Sequence, residues 1–209
     1  MDHKAELLNT VPTMNGWCDP AKSNHIFDTV VATKPKICVE LGVFAGRSLI
    51  AFALALAKLN DKRHLVYGVD TWAAAPAMEN TCQENASWWS SINYAAIKGE
   101  CERVCGQLKV SEYVKLLPMS TVQAYSEIEG NIDILHIDGN HSKWDSTRDV
   151  TLWTDRVSDG GIIYFDDEEW ESTQTAQEFL GIKCDKIDEL RTSNVCGVYR
   201  KRPGKIGYS

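Results

Sequence analysis

Val39-Glu40-Leu41-Gly42-Val43-Phe44-Ala45-Gly46-Arg47-Ser48 reads as a strand that ends on an acid, a turn bounded by two glycines, and the opening of a helix. Ile37 to Leu41 is a short β-rich run, and from Arg47 to Leu59 the apolar residues recur as in a long helix. Outward from this stretch the alternation repeats. Leu65 to Val69 is a second apolar run, Val114 to Leu117 a third closed by Pro118, Ile132 to Ile137 a fourth and Ile162 to Phe165 a fifth, with a helical stretch from Lys143 to Val157 before the fifth. Strands apolar on both faces and separated by helices predict a doubly wound, mostly parallel α/β sheet covered on both sides. Two last runs, Ile182 to Ile187 and Val195 to Tyr199, stand too close together for a crossover and predict a terminal antiparallel hairpin.

The 209 residues, 44% hydrophobic and 24% charged, are ordinary globular material, and no Pro/Gly/Ser-rich linker divides them. A single domain over 1–209 is expected. The segment 73–107 breaks the strand–helix rhythm and carries Met78, Trp88, Trp89 and Tyr94, so it reads as a lid or substrate-binding insertion or as a helical insertion with a small core of its own. Net charge is -7, which disfavours a nucleic-acid partner. Arg200, Lys201, Arg202 and Lys205 form a short basic tail that reads as a solvated terminus. Neither a signal peptide nor a membrane-spanning run is visible, and the seven cysteines, none in a CxxC pair, suit reduced and mostly buried thiols in a cytoplasmic protein.

The strand ends carry the chemistry. The first closes at Glu40 and Gly42, the second on Asp70, the fourth on Asp138, and the fifth on Asp166-Asp167. In a doubly wound sheet these carboxyl ends share one edge, where ligands bind. Gly42 and Gly46 allow close approach of backbone to a ligand, and Asp70 can accept hydrogen bonds from ribose hydroxyls, so a nucleoside-containing cofactor is expected. A dinucleotide turn would need G-x-G-x-x-G, whereas here only two glycines follow an acid. A carboxylate beside the ligand suits an ammonium group better than a phosphate, which points to S-adenosylmethionine.

Val39 to Ser48 resembles motif I of the class I S-adenosylmethionine-dependent methyltransferases, and Tyr67-Gly68-Val69-Asp70-Thr71-Trp72 resembles their ribose-binding motif. Asp133-Ile134-Leu135-His136-Ile137-Asp138-Gly139-Asn140-His141, Gly160-Gly161-Ile162-Ile163-Tyr164-Phe165-Asp166-Asp167 and the early Gly16-Trp17-Cys18-Asp19-Pro20-Ala21-Lys22 are similar to the bacterial subgroup that includes macrolide-sugar O-methyltransferases. The resemblance covers about residues 15 to 170. It implies a Rossmann-like methyltransferase sheet, with Glu40, Gly42, Phe44, Gly46 and Ser48 around the methionine part, Asp70 and Trp72 at the ribose, Ser120 near the adenine and Asp138 beside the cofactor. It also implies a divalent metal, Mg²⁺ in the first place, on Asp138, Asp166 and Asp167, whose carboxylates are the hard oxygen ligands such an ion requires.

The expected reaction is in-line transfer of the methyl group to a hydroxyl of a small acceptor, with Asp138 and His141 as the catalytic pair and His141 as the base. His141 also reads as a loop histidine bonded to a carboxylate, and Asp166-Asp167 as a helix cap. His136 reads as a core histidine. Trp88, Trp89, Trp144 and Trp170 are candidates for an aromatic acceptor wall. The partners expected are the small-molecule acceptor and, in a homo-oligomer, copies of the chain, with neither nucleic acid nor membrane among them. Two rival readings share the sheet: a nicotinamide-dependent oxidoreductase, which lacks its third glycine here, and a non-catalytic S-adenosylmethionine-binding protein.

Overall fold

The computed structural model describes residues 2–79 and 83–204. Two helices, α1 (His3–Thr10) and α2 (Pro20–Thr33), precede β1 (Ile37–Leu41) and α3 (Arg47–Leu59). β2 (Leu65–Asp70) leads through α4 (Ala74–Met78), α5 (Gln83–Ser90) and α6 (Tyr94–Gln107) to β3 (Val114–Pro118). Then follow α7 (Thr121–Ala124), β4 (Ile132–Ile137), α8 (Lys143–Trp153), β5 (Val157–Phe165), α9 (Gln174–Lys183), β6 (Cys184–Arg191) and β7 (Val195–Lys201). The strands form one sheet in the order β3-β2-β1-β4-β5-β7-β6. The first five are parallel, and β7 runs antiparallel between β5 and β6, as the sequence pattern predicts.

Local chemistry explains the helix boundaries. Asp19 caps α2 by accepting from the N–H groups of Ala21 (2.7 Å) and Lys22 (2.9 Å), with Pro20 in the first turn where no N–H is needed. Ser142 caps α8, and Ser120 with Gln123 forms a capping box on α7. α8 stops at Trp153, short of the expected Val157, because Val157 already pairs with Ile132 as the start of β5. β5 is accordingly longer than the run from Ile162 suggests, and a register shift between Ile132 and Ile134 absorbs Asp159-Gly160-Gly161. Ile182 belongs to the end of α9 rather than to a strand.

Every residue of α3 from Ser48 to Leu56 is buried, which is why its apolar residues do not fall on one stripe. With α1, α2 and α6 it forms one apolar layer on the sheet, around Ile26, Phe27, Phe52 and Val104. The opposite layer collects Ala124, Val150, Trp153 and Leu180 from α7, α8 and α9 against Val39, Leu135 and Ile163. Each large aliphatic or aromatic side chain buried in this way contributes roughly 1.5–3 kcal/mol. Within 73–107, α6 is the crossover helix into β3 and buries Cys101, Val104 and Cys105, whereas α4 and α5 bury no side chain. The basic tail is more than a solvated end: Arg202 donates to the carbonyls of Gly181, Ile182 and Cys184 and pins α9 to β6, while Lys205 lies outside the described residues. Six cysteines are buried and free, and Cys82 also lies outside the described residues. Among the described residues, no helix is long and apolar enough to cross a membrane.

The parallel ladders continue one step past the strands. Gly42 N–H donates to the Val69 carbonyl (2.8 Å), Asp138 N–H to Leu41 (2.8 Å) and Asp166 N–H to Ile137 (3.1 Å), so these residues leave the sheet at one height. At Gly42 the turn is so close that a Cβ would stand 2.0 Å from the Asp138 carbonyl oxygen, and its φ is +86°. Gly160 has a comparable φ of +79° but open space around it. Gly42→Ala is therefore expected to cost several kcal/mol beyond the roughly 1–2 kcal/mol that Gly160→Ala loses to its positive φ alone, a gap to be read by urea denaturation of the two variants.

Candidate active site

Asp70 organises the first turn. Its Oδ2 accepts from the N–H groups of Val43 (3.0 Å) and Phe44 (2.9 Å), and its Oδ1 from Trp72 N–H (2.7 Å). Trp72 Nε1 in turn donates to the Phe44 carbonyl (2.9 Å). Phe44 and Trp72 sit at φ of +51° and +42°, a conformation costly for non-glycine residues that persists only where neighbours hold it, as Asp70 does here. The two turns expected to border the cofactor are thus wired into one unit, and Asp70 Oδ1, which accepts a single bond, keeps capacity for a further one. Ser120 stands at the end of β3, next in the sheet, as the cap of α7.

Glu40 lies inside the protein, fully buried. Its Oε1 accepts from the Ser48 hydroxyl and stands 3.1 Å from His136 Nδ1, while Oε2 has no hydrogen-bond partner among the described residues. Gly46 begins α3 with a φ of +90°. Glu40 and Ser48, both read as cofactor neighbours, thus form a buried pair beneath the turn. His136 reads from the sequence as a core residue; it is fully buried, but it also joins Glu40 to the acids at the ends of β4 and β5.

Those acids fall into two overlapping groups. In the inner one, His136 Nε2 stands 3.5 Å from Asp166 Oδ2 and 3.9 Å from Asp138 Oδ2. Lys22, with 1% of its side chain exposed, hydrogen-bonds Asp166 Oδ2 and reaches within 4.0 Å of Asp138 Oδ2. In the outer group, His141 Nε2 lies 3.0 Å from Asp167 Oδ2 and 3.4 Å from Asp138 Oδ1. Asp167, at φ +56°, is oriented by Asn194, whose amide donates to Oδ1 (2.9 Å). The side chains of Asp138, His141 and Asp167 are 28, 16 and 14% exposed, so this group opens outward whereas Asp166 is sealed.

The charges follow from this arrangement. Burial and the neighbouring Asp166 carboxylate push Asp138 up to about 6. Burial works against ionisation of Asp166 too, but Lys22 and His136 outweigh it and hold this carboxyl well below the usual range. Burial would discharge His136 and His141; instead Asp166 and Glu40 raise the first to about 10, and Asp138 and Asp167 raise the second to about 10. His141 therefore carries its proton at neutral pH in this state. Lys22 likewise stays charged despite its burial, because Asp166 and Asp138 face it. Removing one member of such a buried pair typically costs about 3–5 kcal/mol.

Carboxylate and imidazole donors within 4.8 Å of one another, in both groups, fit a divalent cation, and the buried His136 Nε2 and Asp166 Oδ1 have no hydrogen-bond partner among the described residues. Sequence reasoning missed the parts that come from distant segments, namely Lys22, His136 as a link, and Asn194. Lys22 did carry a local signal, since it follows the Asp19-Pro20 helix start by two residues.

Aromatic rings line the approach. Trp17 stands 5.1 Å from the Phe44 ring and 5.6 Å from Trp88, and Trp88 and Trp89 are 4.7 Å apart, so α5 meets the N-terminal loop over the first turn. Trp170 lies edge-on to His141 at 5.5 Å and is 45% exposed, and Trp144 is exposed without a ring contact among the described residues.

A methyltransferase-domain family model matches residues 39–168, from the middle of β1 to just beyond β5. A curated relative, the uncharacterised protein y4gI of Sinorhizobium fredii, is 27% identical over 141 residues, which are 67% of this chain but only 14% of that protein. Among solved structures, the fold is shared with an O-methyltransferase from Bacillus cereus in complex with SAH (TM-score 0.63, 11% identity, 96% of this chain and 91% of that one). It is shared also with the O-methyltransferase TomG of Streptomyces achromogenes, involved in tomaymycin synthesis and bound to SAM (0.66, 10%, 97% and 91%), and with a Geobacter sulfurreducens methyltransferase (0.65, 11%, 97% and 90%). Since the family model spans well over half of its residues, this chain belongs to the methyltransferase-domain family.

Proposed function

We propose that the chain is a metal-assisted O-methyltransferase acting on a hydroxyl of a small sugar-like or natural-product-like acceptor. The observation that carries this reading is the meeting, at one sheet edge, of the turn anchored by Asp70 with the open group Asp138–His141–Asp167. The similarity of the Asp133–His141 and Gly160–Asp167 segments to the macrolide-sugar subgroup supports the choice of acceptor, as do the aromatic walls, because apolar ring faces pack well on sugars and planar rings. Asp70 would receive the ribose hydroxyls, and Gly42 and Gly46 would let the backbone approach the cofactor. Asp138 and Asp167 would hold the cation, Mg²⁺ in the first place, from the open side, with Asp166 behind them. A divalent cation bound there supplies positive charge that lowers the pKa of the acceptor hydroxyl and orients it.

In the transfer the acceptor oxygen forms a bond to the methyl carbon, the bond from that carbon to sulfur breaks, and S-adenosylhomocysteine leaves with the electron pair. A divalent cation on Asp138 and Asp167 would oppose the rise in pKa that these carboxylates cause at His141, and the ring, once its proton has left to solvent, would take the hydroxyl proton. Asp138 and Asp167 position the ring. The six buried free thiols suit a reducing compartment and support a cytoplasmic location.

Asp70→Asn turns an amide NH₂ toward backbone donors and leaves at least one unpaired, so S-adenosylhomocysteine binding in a calorimeter is expected to weaken about ten- to a hundredfold. NADH should not bind at all; binding of NADH in place of S-adenosylhomocysteine would revive the oxidoreductase reading. His141→Ala should bind S-adenosylhomocysteine normally yet lose about 10²–10⁴ in transfer of labelled methyl groups to a panel of catechols and deoxysugar glycosides. If wild type binds the cofactor product but methylates nothing in the panel with any of Mg²⁺, Mn²⁺ or Ca²⁺, the non-catalytic reading takes its place. In the metal-free protein the His141 ring should keep its proton until about pH 10, followed by NMR of the imidazole carbons. Its raised pKa means that the stability it contributes is complete below about pH 6.5 and fades as pH climbs toward 10.

A further inference from the structure

The inner acids already face a cation of the protein's own. Lys22 comes from the first turn of α2, far from β4 and β5 in sequence, yet its ammonium hydrogen-bonds Asp166 and lies 4.0 Å from Asp138 Oδ2. Its position is set from both sides. Asp19 fixes the start of α2 through the N–H groups of Ala21 and Lys22, and its other oxygen accepts from Ser193 N–H (3.2 Å) in the loop between β6 and β7. Asn194, the next residue of that loop, orients Asp167. One loop therefore holds both the helix that delivers the ammonium and the carboxylate of the outer group.

The remaining donors have the character of a metal site. One donor atom each from His136, Asp138 and Asp166 lies within 4.8 Å of the others. Asp166 Oδ1 is buried without a hydrogen-bond partner among the described residues, and His136 Nε2 has only the longer ion-pair contacts to Asp166 (3.5 Å) and Asp138 (3.9 Å), an arrangement that a purely structural ion pair would not require. We infer that Lys22 is a resident cation that fills the inner position between Asp138 and Asp166, and that it confines a divalent ion to the outer position bordered by Asp138 and Asp167. The inference rests on the metal-assisted reading above and says which half of the site the metal can use. Coulomb repulsion between an ammonium and a divalent ion a few ångströms apart in a buried setting is strong enough to keep both from sharing Asp166.

Neutralising Lys22 should therefore create metal affinity instead of destroying it. Free Mn²⁺ is followed by electron paramagnetic resonance during titration of the full chain with saturating S-adenosylhomocysteine, for wild type, Lys22→Met, Lys22→Gln and Lys22→Arg. At most one Mn²⁺ per chain is expected for wild type and for Lys22→Arg, which keeps the charge. Lys22→Met and Lys22→Gln should each take up a second ion or bind the first at least about tenfold more tightly, and Mn²⁺ should raise their melting temperatures more than that of wild type. Lys22→Gln is included because its amide can still donate to Asp166 if Lys22→Met does not fold; a Lys22→Met protein that folds only with Mn²⁺ would also support the inference. Equal or weaker Mn²⁺ binding in the neutral variants than in wild type overturns it. Calorimetry with S-adenosylhomocysteine on wild type keeps the two ideas apart: loss of cofactor binding there sinks the methyltransferase site, whereas unchanged cofactor binding with unchanged Mn²⁺ affinity sinks only the role of Lys22.

Discussion

Everything in the site depends on the way the parallel ladder extends beyond its strands. The bonds from Gly42 to Val69, Asp138 to Leu41 and Asp166 to Ile137 bring three chain segments out of the sheet in step. Side chains that follow such bonds cannot slide relative to one another without breaking buried backbone pairs, which are costly to leave unmade. The strand ends thus act as a rigid frame, and the acids on it are held close together despite their mutual repulsion.

That repulsion is answered from several directions. Lys22 neutralises Asp166, His136 bridges Asp166 to Glu40, and His141 sits between Asp138 and Asp167. Raised histidine pKa values and a depressed one at Asp166 are consequences of the same crowding. The position of each group on the sheet separates the roles: Asp166 is sealed beneath, while Asp138, His141 and Asp167 open outward, where an acceptor can reach them. The opposite side of the edge is governed by Asp70, which uses its carboxylate to hold two strained turns together.

Much of this was legible in the residues. The doubly wound sheet followed from two-sided apolar runs, because only strands covered on both faces dispense with alternation, and the hairpin followed from the short spacing before Val195. The sequence pattern was less able to place the start of β5. The apolar run opens only at Ile162, yet the strand begins at Val157, and a register shift takes up Asp159-Gly160-Gly161. The segment 73–107 reads as one lid or insertion, but packing divides it: α6 buries Cys101, Val104 and Cys105 in the core layer that also holds α3, while α4 and α5 bury no side chain.

By itself the sequence determined the strand ends, the acids on them, and hence the edge where the chemistry gathers, since strand periodicity and turn chemistry are local properties. Only the tertiary structure decided which acid meets which cation. Lys22 is separated from Asp166 by 144 positions, and Asn194 from Asp167 by 27, so no spacing rule connects them. Their pairing arises because α2 and the hairpin loop pack onto the sheet edge from opposite ends of the chain, and burial then makes each unpaired charge too costly to leave alone.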